Sequence, residues 1–244
     1  MQQFGLIGYP LTHSFSAEWF ANFFRKHQIE ANYTASPMAS RDEVRQFLLH
    51  RPWQGFNVTI PYKEFILPLL DEVDSIAREV GAVNCVVRRK NKLIGYNTDI
   101  LGFEQTLQRW NLPEQLQALI FGTGGASKSV QYVLKKMQIP YILVSRNEVK
   151  DAITYADLNQ EFMASHHLLI QTTPVGTFPD TEHCIPIPYH YIRSHHFVFD
   201  MVYNPDKSKF LSICESAGAR IKNGLEMLHC QAEASWRLYQ TAED

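Results

Sequence analysis

The chain has 244 residues, 45% apolar and 20% charged, with a formal net charge of −2. That length holds two domains or one large one, and the near-neutral balance offers no basic surface for nucleic acid and no charged face for a membrane. Cys85, Cys184, Cys214 and Cys230 lie scattered without a Cys-x-x-Cys pair, which suits reduced thiols in a cytoplasmic protein and neither a disulfide frame nor a zinc site.

The first residues, Met1 to Gly8, lack the basic start and apolar core of a signal peptide. No run approaches the ~20 apolar residues of a membrane span. Leu6-Ile7-Gly8 reads as the end of a first strand, followed by a polar turn that carries Ser14 and Ser16. Trp19, Phe20, Phe23 and Phe24 then recur at helical spacing as a core-facing stripe. Either serine is a candidate helix N-cap, and two hydroxyls beside a helix N-terminus also suit a substrate carboxylate. A strand around Asn32-Tyr33-Thr34 precedes a helix opened by Ser40 and Glu43, a capping box.

Gly55 to Thr59 reads as a strand delivering Asn57 and Thr59 to its carboxyl end, with Pro61 starting a helix. Lys63 then sits on a first helical turn, where the helix dipole gives a cation no advantage, so a solvated lysine is the plain reading and a functional one competes with it. Asp74 caps a short helix stopped by Gly81, and the segments around Val83-Asn84 and Ile94-Gly95 form a hairpin through Lys90-Asn91. Asp99 opens the next helix, marked by Ile100, Phe103, Leu107 and Trp110, and its bland reading is an N-cap.

From Gln117 onward apolar runs at 118–121, 141–144, 168–170 and 197–202 alternate with helical stretches. That alternation predicts a doubly wound parallel sheet. The fold class is therefore α/β with two domains joined near residues 99–102, a Rossmann-like one following an N-terminal one of different topology. The run 118–121 leads into Gly122-Thr123-Gly124-Gly125-Ala126-Ser127, then into an amphipathic helix marked by Val130, Val133, Leu134 and Met137. In strand–turn–helix context such glycines suit a dinucleotide: Gly122 for the tight turn, Gly124 for close approach to a pyrophosphate, and free N–H groups facing the anion. Ser127 stands where Gly or Ala is usual, and a merely structural turn is the competing reading. The His166-His167 and His195-His196 doublets have no accompanying carboxylate cluster, so no metal is expected. The C-terminal helix, residues 225–232, is able to cross back to the first domain with Gln231 midway along it.

Taken together the blocks resemble one family, the shikimate dehydrogenases, over essentially the whole chain and in family order. Gly8 to Ser16 is similar to its substrate-carboxylate loop, with Ala17 where proline is usual. Asn57-Val58-Thr59-Ile60-Pro61-Tyr62-Lys63 resembles its N-V-T-x-P-x-K signature, and Gly81 to Asn84 and Gly95 to Asp99 resemble two further blocks. Asp200 to Pro205 and Gly224 to Ala232 complete the set. The resemblance implies a reversible, NADPH-dependent reduction of 3-dehydroshikimate to shikimate on the route to chorismate and the aromatic amino acids. It implies a substrate-binding catalytic domain of residues 1–98 with 225–244 and an NADP-binding domain of residues 99–224. Lys63 and Asp99 would be the catalytic pair. Ser14, Ser16, Thr59, Asn84, Gln231 and Tyr203 would bind substrate, with Tyr203 also near the nicotinamide. Gly122, Gly124, Gly125, Ala126, Ser127, Arg146 and Gly224 would meet the cofactor. The small-molecule substrate is the expected partner, and a second copy of the chain is a further candidate.

The chemistry suits the residue types. Hydride arriving at a ketone builds negative charge on its oxygen, which an ammonium stabilises and protonates. Asp99, if beside Lys63, would orient the amine and hold a ring hydroxyl. The cofactor side departs most from the family: Ser145, Asn147 and Lys150 replace the residues usual around Arg146, Gln171 stands for Asn, Thr177 for Met, and Ser208-Lys209 for T-P. Arg146 lies just beyond the run 141–144, where an acid would hold the ribose of NAD and an arginine suits a 2′-phosphate. Two alternatives remain: a quinate/shikimate dehydrogenase able to use NAD, against which Ser16 and Arg146 lean, and a non-catalytic shikimate-binding module, against which Lys63 and Asp99 lean.

Overall fold

In the computed structural model, which describes residues 1–11 and 15–241, the chain divides into two compact units. The first comprises Met1–Leu101 with Cys230–Asp244, and the second Gly102–His229.

The strands of the first unit are β1 (Gln2–Gly8), β2 (Ala31–Pro37), β3 (Gly55–Val58), β4 (Glu72–Val73), β5 (Cys85–Arg89) and β6 (Lys92–Tyr96). They form one mixed sheet in the order β2-β1-β3-β5-β6-β4. β1 lies between β2 and β3, parallel to both, and its residues Phe4 to Gly8 include no exposed apolar side chain. Phe4 and Leu6 join one core cluster and Ile7 another, as period-2 alternation requires of a strand covered on both faces. Helix α1 (Phe15–Lys26) lays Phe20 and Phe24 into the first cluster, where the Phe20 ring stacks on Tyr33 at 4.3 Å. Helix α2 (Arg41–His50) places Val44 and Leu48 in the second, and Ser40 caps it by accepting the Glu43 N–H at 3.2 Å. Helix α3 (Ser75–Val80) is bounded by Asp74, which accepts from Ile76 and Ala77, and by Gly81 in the left-handed region. Lys90 and Asn91 both have positive φ, the requirement of a tight turn whose twist matches the β5–β6 hairpin.

Two local expectations give way to other arrangements, and a third does so for one of its two residues. Pro61 starts no α-helix: residues 60–66 are turns leading to a single 3-10 turn at Leu67–Leu69. Pro68 lacks an N–H and crowds the preceding turn, leaving too short a stretch to nucleate a helix. Ser16 is the second residue of α1 rather than its cap, and Ser14 lies outside the described residues. Helix α4 (Asp99–Gln108) begins at Asp99, and the side chain that accepts from its first turn is Asn97, bonded to the Ile100 N–H at 3.3 Å. Asp99 is thereby left for other partners.

The second unit contains β7 (Ala118–Phe121), α5 (Gly125–Lys136), β8 (Tyr141–Ser145), β9 (Ala152–Thr154), α6 (Gln160–Ser165), β10 (Leu168–Gln171), β11 (Phe197–Asp200), α7 (Lys209–Ser216) and β12 (Arg220–Asn223). Helix α8 (Leu225–Tyr239) follows. The strands are parallel in the order β12-β11-β10-β7-β8-β9. The chain thus winds outward from β7 in one direction, returns, and winds outward from β10 in the other. The order reverses between β7 and β10, the place where open α/β sheets bind ligands beyond the strand ends. β7, β10 and β11 are buried along their whole length, which explains why they read as unbroken apolar runs. The unit divisions fall inside α4 and α8, three to five residues from the 98/99 and 224/225 boundaries that the sequence blocks suggest.

The histidine doublets serve the backbone of this unit. His196 takes the Arg193 N–H on Nδ1 at 2.9 Å and pairs Nε2 with the Met163 carbonyl at 2.9 Å, while His167 pairs with the Ala164 carbonyl. All four cysteines are free thiols, and burial pushes Cys85 up to about 12. Among the described residues no helix is long and apolar enough to cross a membrane.

Candidate active site and cofactor loop

The turn after β3 carries Lys63 against the start of α4. Its Nζ donates to Asp99 Oδ2 at 2.6 Å, with the lysine side chain 14% exposed and the aspartate 8%. The other carboxylate oxygen, Oδ1, accepts from Asn84 Nδ2 at 2.8 Å. Asn84 is itself fixed: its Oδ1 accepts the Thr98 N–H at 2.6 Å and the Thr98 hydroxyl at 3.2 Å. Thr98 Oγ1 further meets Gln231 Oε1 at 3.4 Å and Ser235 Oγ at 3.1 Å, both on α8. Asn57 completes the cluster. Its Nδ2 donates to the Asn84 carbonyl and to Ser235 Oγ, and its Oδ1 accepts from Tyr33 and Tyr239. Two donors and two acceptor positions of that amide are used, so its hydrogen bonds offset the cost of burying Asn57.

The fold therefore brings Lys63, Asp99, Asn84 and Gln231 into one hydrogen-bonded set. Thr59 follows β3 directly, its N–H on the Ile7 carbonyl and its methyl against Gly8, where a Cβ would lie only 2.3 Å from it. Ser16 is nearly buried on α1. Neither is bonded to the set among the described residues. Thr98, Asn57 and Ser235 were not assigned roles from sequence. Thr98 and Asn57 stand inside blocks already singled out, and Ser235 lies four residues beyond Gln231 on the same helix face. The chemical capacity of the set is specific: a largely sheltered ammonium whose direction is set by a carboxylate that is itself held on both oxygens.

In the second unit the glycine loop links β7 to α5. Gly122 has φ +116°, and a Cβ there would lie 2.6 Å from Thr172 Oγ1, so only glycine fits. At Gly124 a Cβ would meet nothing within 4 Å, and this residue is an N-cap without a side-chain hydrogen bond. The first N–H groups of α5, beginning with Gly125 and Ala126, are thus free of a side-chain cap, beside open space. A phosphate of NADP fits that arrangement, because it would supply the acceptors that the helix start lacks. Ser127 is fully buried and accepts from Gln131 Nε2, so its side chain packs within the helix and any contact to an anion would come from its backbone. β8 lies parallel beside β7 and Arg146 follows its last residue, exposed. Gly224 is a packing glycine: its Cβ would lie 2.2 Å from the Met201 carbonyl oxygen.

Tyr203 is half-buried on the loop after β11. That loop starts at Asp200, whose carboxylate is fully buried and accepts from Val202 N, Gln171 Nε2 and Ser208 Oγ. All three donors are neutral, and burial raises the Asp200 carboxyl to about 6. Among the described residues there is no group of three or more His, Cys, Asp or Glu side chains placed to hold a metal ion.

Residues 6–86 match the model of the shikimate dehydrogenase substrate binding domain. Shikimate dehydrogenase (NADP(+)) of Clostridium botulinum is 36% identical over 96% of this chain and 95% of its own. The crystal structure of shikimate dehydrogenase from Aquifex aeolicus superposes with a TM-score of 0.88 at 30% identity, covering 100% of this chain and 94% of that one. Shikimate 5-dehydrogenase from Thermus thermophilus, crystallised with NADP(H) and shikimate, gives a TM-score of 0.87 at 28% identity over 100% and 95% of the two chains. With the Lys63–Asp99 pair in one unit and an uncapped glycine loop in a Rossmann-like other, the chain belongs to the shikimate dehydrogenase family.

Proposed function

We propose that Lys63 and Asp99 are the catalytic pair of this enzyme, a shikimate dehydrogenase that interconverts 3-dehydroshikimate and shikimate with NADP as cofactor. The observation that carries the reading is the 2.6 Å contact between Lys63 Nζ and an Asp99 carboxylate held in turn by Asn84. NADPH, when bound, supplies the hydride. Negative charge then develops on the ketone oxygen, where the Lys63 ammonium stabilises it and delivers the proton. Asp99 keeps the amine aimed and accepts from a ring hydroxyl. Asn84, Thr59 and Gln231 hold further hydroxyls, and Ser14 and Ser16 hold the carboxylate. Tyr203 flanks the nicotinamide and the substrate. Gly122 to Ser127 would cradle the pyrophosphate, Arg146 would pair with the 2′-phosphate, and Gly224, packed against Met201, would support the Tyr203 loop on the cofactor side.

Purified protein given shikimate or quinate with NADP⁺ or NAD⁺ tests this directly through absorbance at 340 nm. The expected result is turnover with shikimate and NADP⁺ far above the other pairs. Equal use of NAD⁺ or quinate would favour the broader enzyme, and no turnover with any pair a binding module. Replacing Ser14 and Ser16 together by alanine should raise KM for shikimate far more than it lowers kcat, the mark of lost uniform binding. Four free cysteines support a reducing, cytoplasmic location. A homodimer is the remaining candidate assembly, read by sedimentation.

A further inference from the structure

The loop that carries Tyr203 is held at its root by one side chain. Val202 N donates to Asp200 Oδ1 at 2.9 Å, and Gln171 Nε2 donates to the same oxygen at 2.9 Å. Ser208 Oγ donates to Oδ2 at 2.5 Å while capping α7 through the Leu211 N–H. Gln171 stands opposite Asp200 in the β10–β11 register, and its Nε2 also reaches the Val175 carbonyl at 3.2 Å. Farther along, the Phe178 N–H meets the Asn204 carbonyl and the Gly224 N–H meets the Val202 carbonyl. Asp200 is thus the shared acceptor for the Tyr203 loop, the start of α7 and, through Gln171, the loop after β10. Both Asp200 and Gln171 are fully buried, and Gln171 Oε1 is buried without a hydrogen-bond partner among the described residues. With the Val202 N–H, Gln171 Nε2 and Ser208 Oγ all donating to its two oxygens, Asp200 is placed as an acceptor, which suits the ionised carboxylate.

We infer that Asp200 is a positioning residue for turnover: its ionised carboxylate, gripping the Val202 N–H, fixes the loop that presents Tyr203. The inference rests on the proposed role of Tyr203 at the nicotinamide end.

Ionised Asp200 exists there against burial, which raises its carboxyl to about 6. The titratable groups that interact with it are Tyr189 and, from α7, Cys214. Burial pushes Cys214 up to about 12 and Tyr189 well above its ordinary range, so both stay neutral near pH 6. A proton on Asp200 turns an acceptor into a donor and removes part of the grip on the loop. The sign for stability is opposite. The folded state holds the proton more tightly than the unfolded chain, so Asp200 favours folding below the ordinary carboxylate range, and that contribution is lost as pH rises through about 6.

Asp200→Asn mimics the protonated carboxyl in shape and polarity and tests the assignment. The ratio of native to variant kcat, at saturating shikimate and NADP⁺, should climb from near unity at pH 5 to about tenfold at pH 7.5, with its midpoint near 6, while both KM values stay within about threefold. A ratio that is constant across this range, or a change confined to KM, overturns the inference. Ser208→Ala, which removes one donor from the ionised form, should move that midpoint upward; an unmoved midpoint also counts against it. A native protein without turnover at any pH defeats the dehydrogenase reading instead. The melting-temperature difference between native and Asp200→Asn needs no substrate and still reads the proton. It should favour the native protein more at pH 4.5 than at pH 7.5, and a difference independent of pH overturns the assignment.

Discussion

The proposed sites of the two units are built in opposite ways. Around Lys63 the central polar groups already hold partners within the protein: Asp99 is held on both oxygens, Asn84 through its amide, and Asn57 through four hydrogen bonds. Around Gly124 the opposite holds, with a helix start that has no side-chain cap and space where a side chain would be. The proposed ligands account for the difference. Proton delivery to one oxygen needs a donor whose direction is already set, because reorganisation during the reaction adds to the barrier. A dinucleotide is long and anionic, and its phosphates satisfy backbone N–H groups on arrival. On the proposed roles, fixed side chains would serve the first task and uncapped backbone the second.

The sharpest way to break that contrast is Lys63→Ala. Turnover should fall ~10²–10⁴-fold with the melting temperature and KM for shikimate little changed. A variant within a few-fold of native kcat would show that the ordered set is structural only. Next in size is Arg146→Ala. Native enzyme should prefer NADPH over NADH at least tenfold in kcat/KM, and the variant should lose most of that by weakening NADPH alone, since a charge-assisted contact contributes roughly 1.5–3 kcal/mol. NADH kinetics that fall in parallel would assign Arg146 to general structure.

Two glycine substitutions then separate vacancy from strain within the same loop. Gly124→Ala has open space and φ −81°, so folding should be unaffected while KM for NADPH rises roughly tenfold, the equivalent of one charge-assisted hydrogen bond. Gly122→Ala, at φ +116° and against Thr172, should instead lower the melting temperature. Equal thermal losses in the two variants would mean that Gly124 is as constrained as Gly122. The smallest effect expected is that of Asp74→Ala, which removes the α3 cap at about 1 kcal/mol and leaves all kinetic constants alone.

The contrast also explains what was readable beforehand. β7, β10 and β11 are covered on both faces, so their sequences are uninterrupted apolar runs, and a glycine turn after the first of them announces its helix. β9 and β12 are edge strands of partial burial, and Arg220-Ile221-Lys222-Asn223 has no apolar period to find. Capping residues betray α2 and α3 because their hydrogen bonds are local. Lys63 and Asp99 were legible through the signature they share with a family, and Asp99 did not look unusual otherwise. Ser235 gave no signal at all. Its bonds to Asn57 and Thr98 cross 178 and 137 positions, and nothing local in a helix sequence records such partners.

Those distant bonds bear on how the chain is made. The second unit is one uninterrupted stretch ending at His229, so all of it exists before the ribosome has supplied the residues from Cys230 onward that complete the first. Lys63 and Asp99 emerge early, yet Ser235 and Tyr239, which bond to Asn57, are synthesised only after the whole second unit. A polypeptide ending at His229 would therefore hold every residue of the second unit while Asn57, the amide beside the Lys63–Asp99 set, still lacked Ser235 and Tyr239. Translation itself orders the two units, the second being fully synthesised before the first.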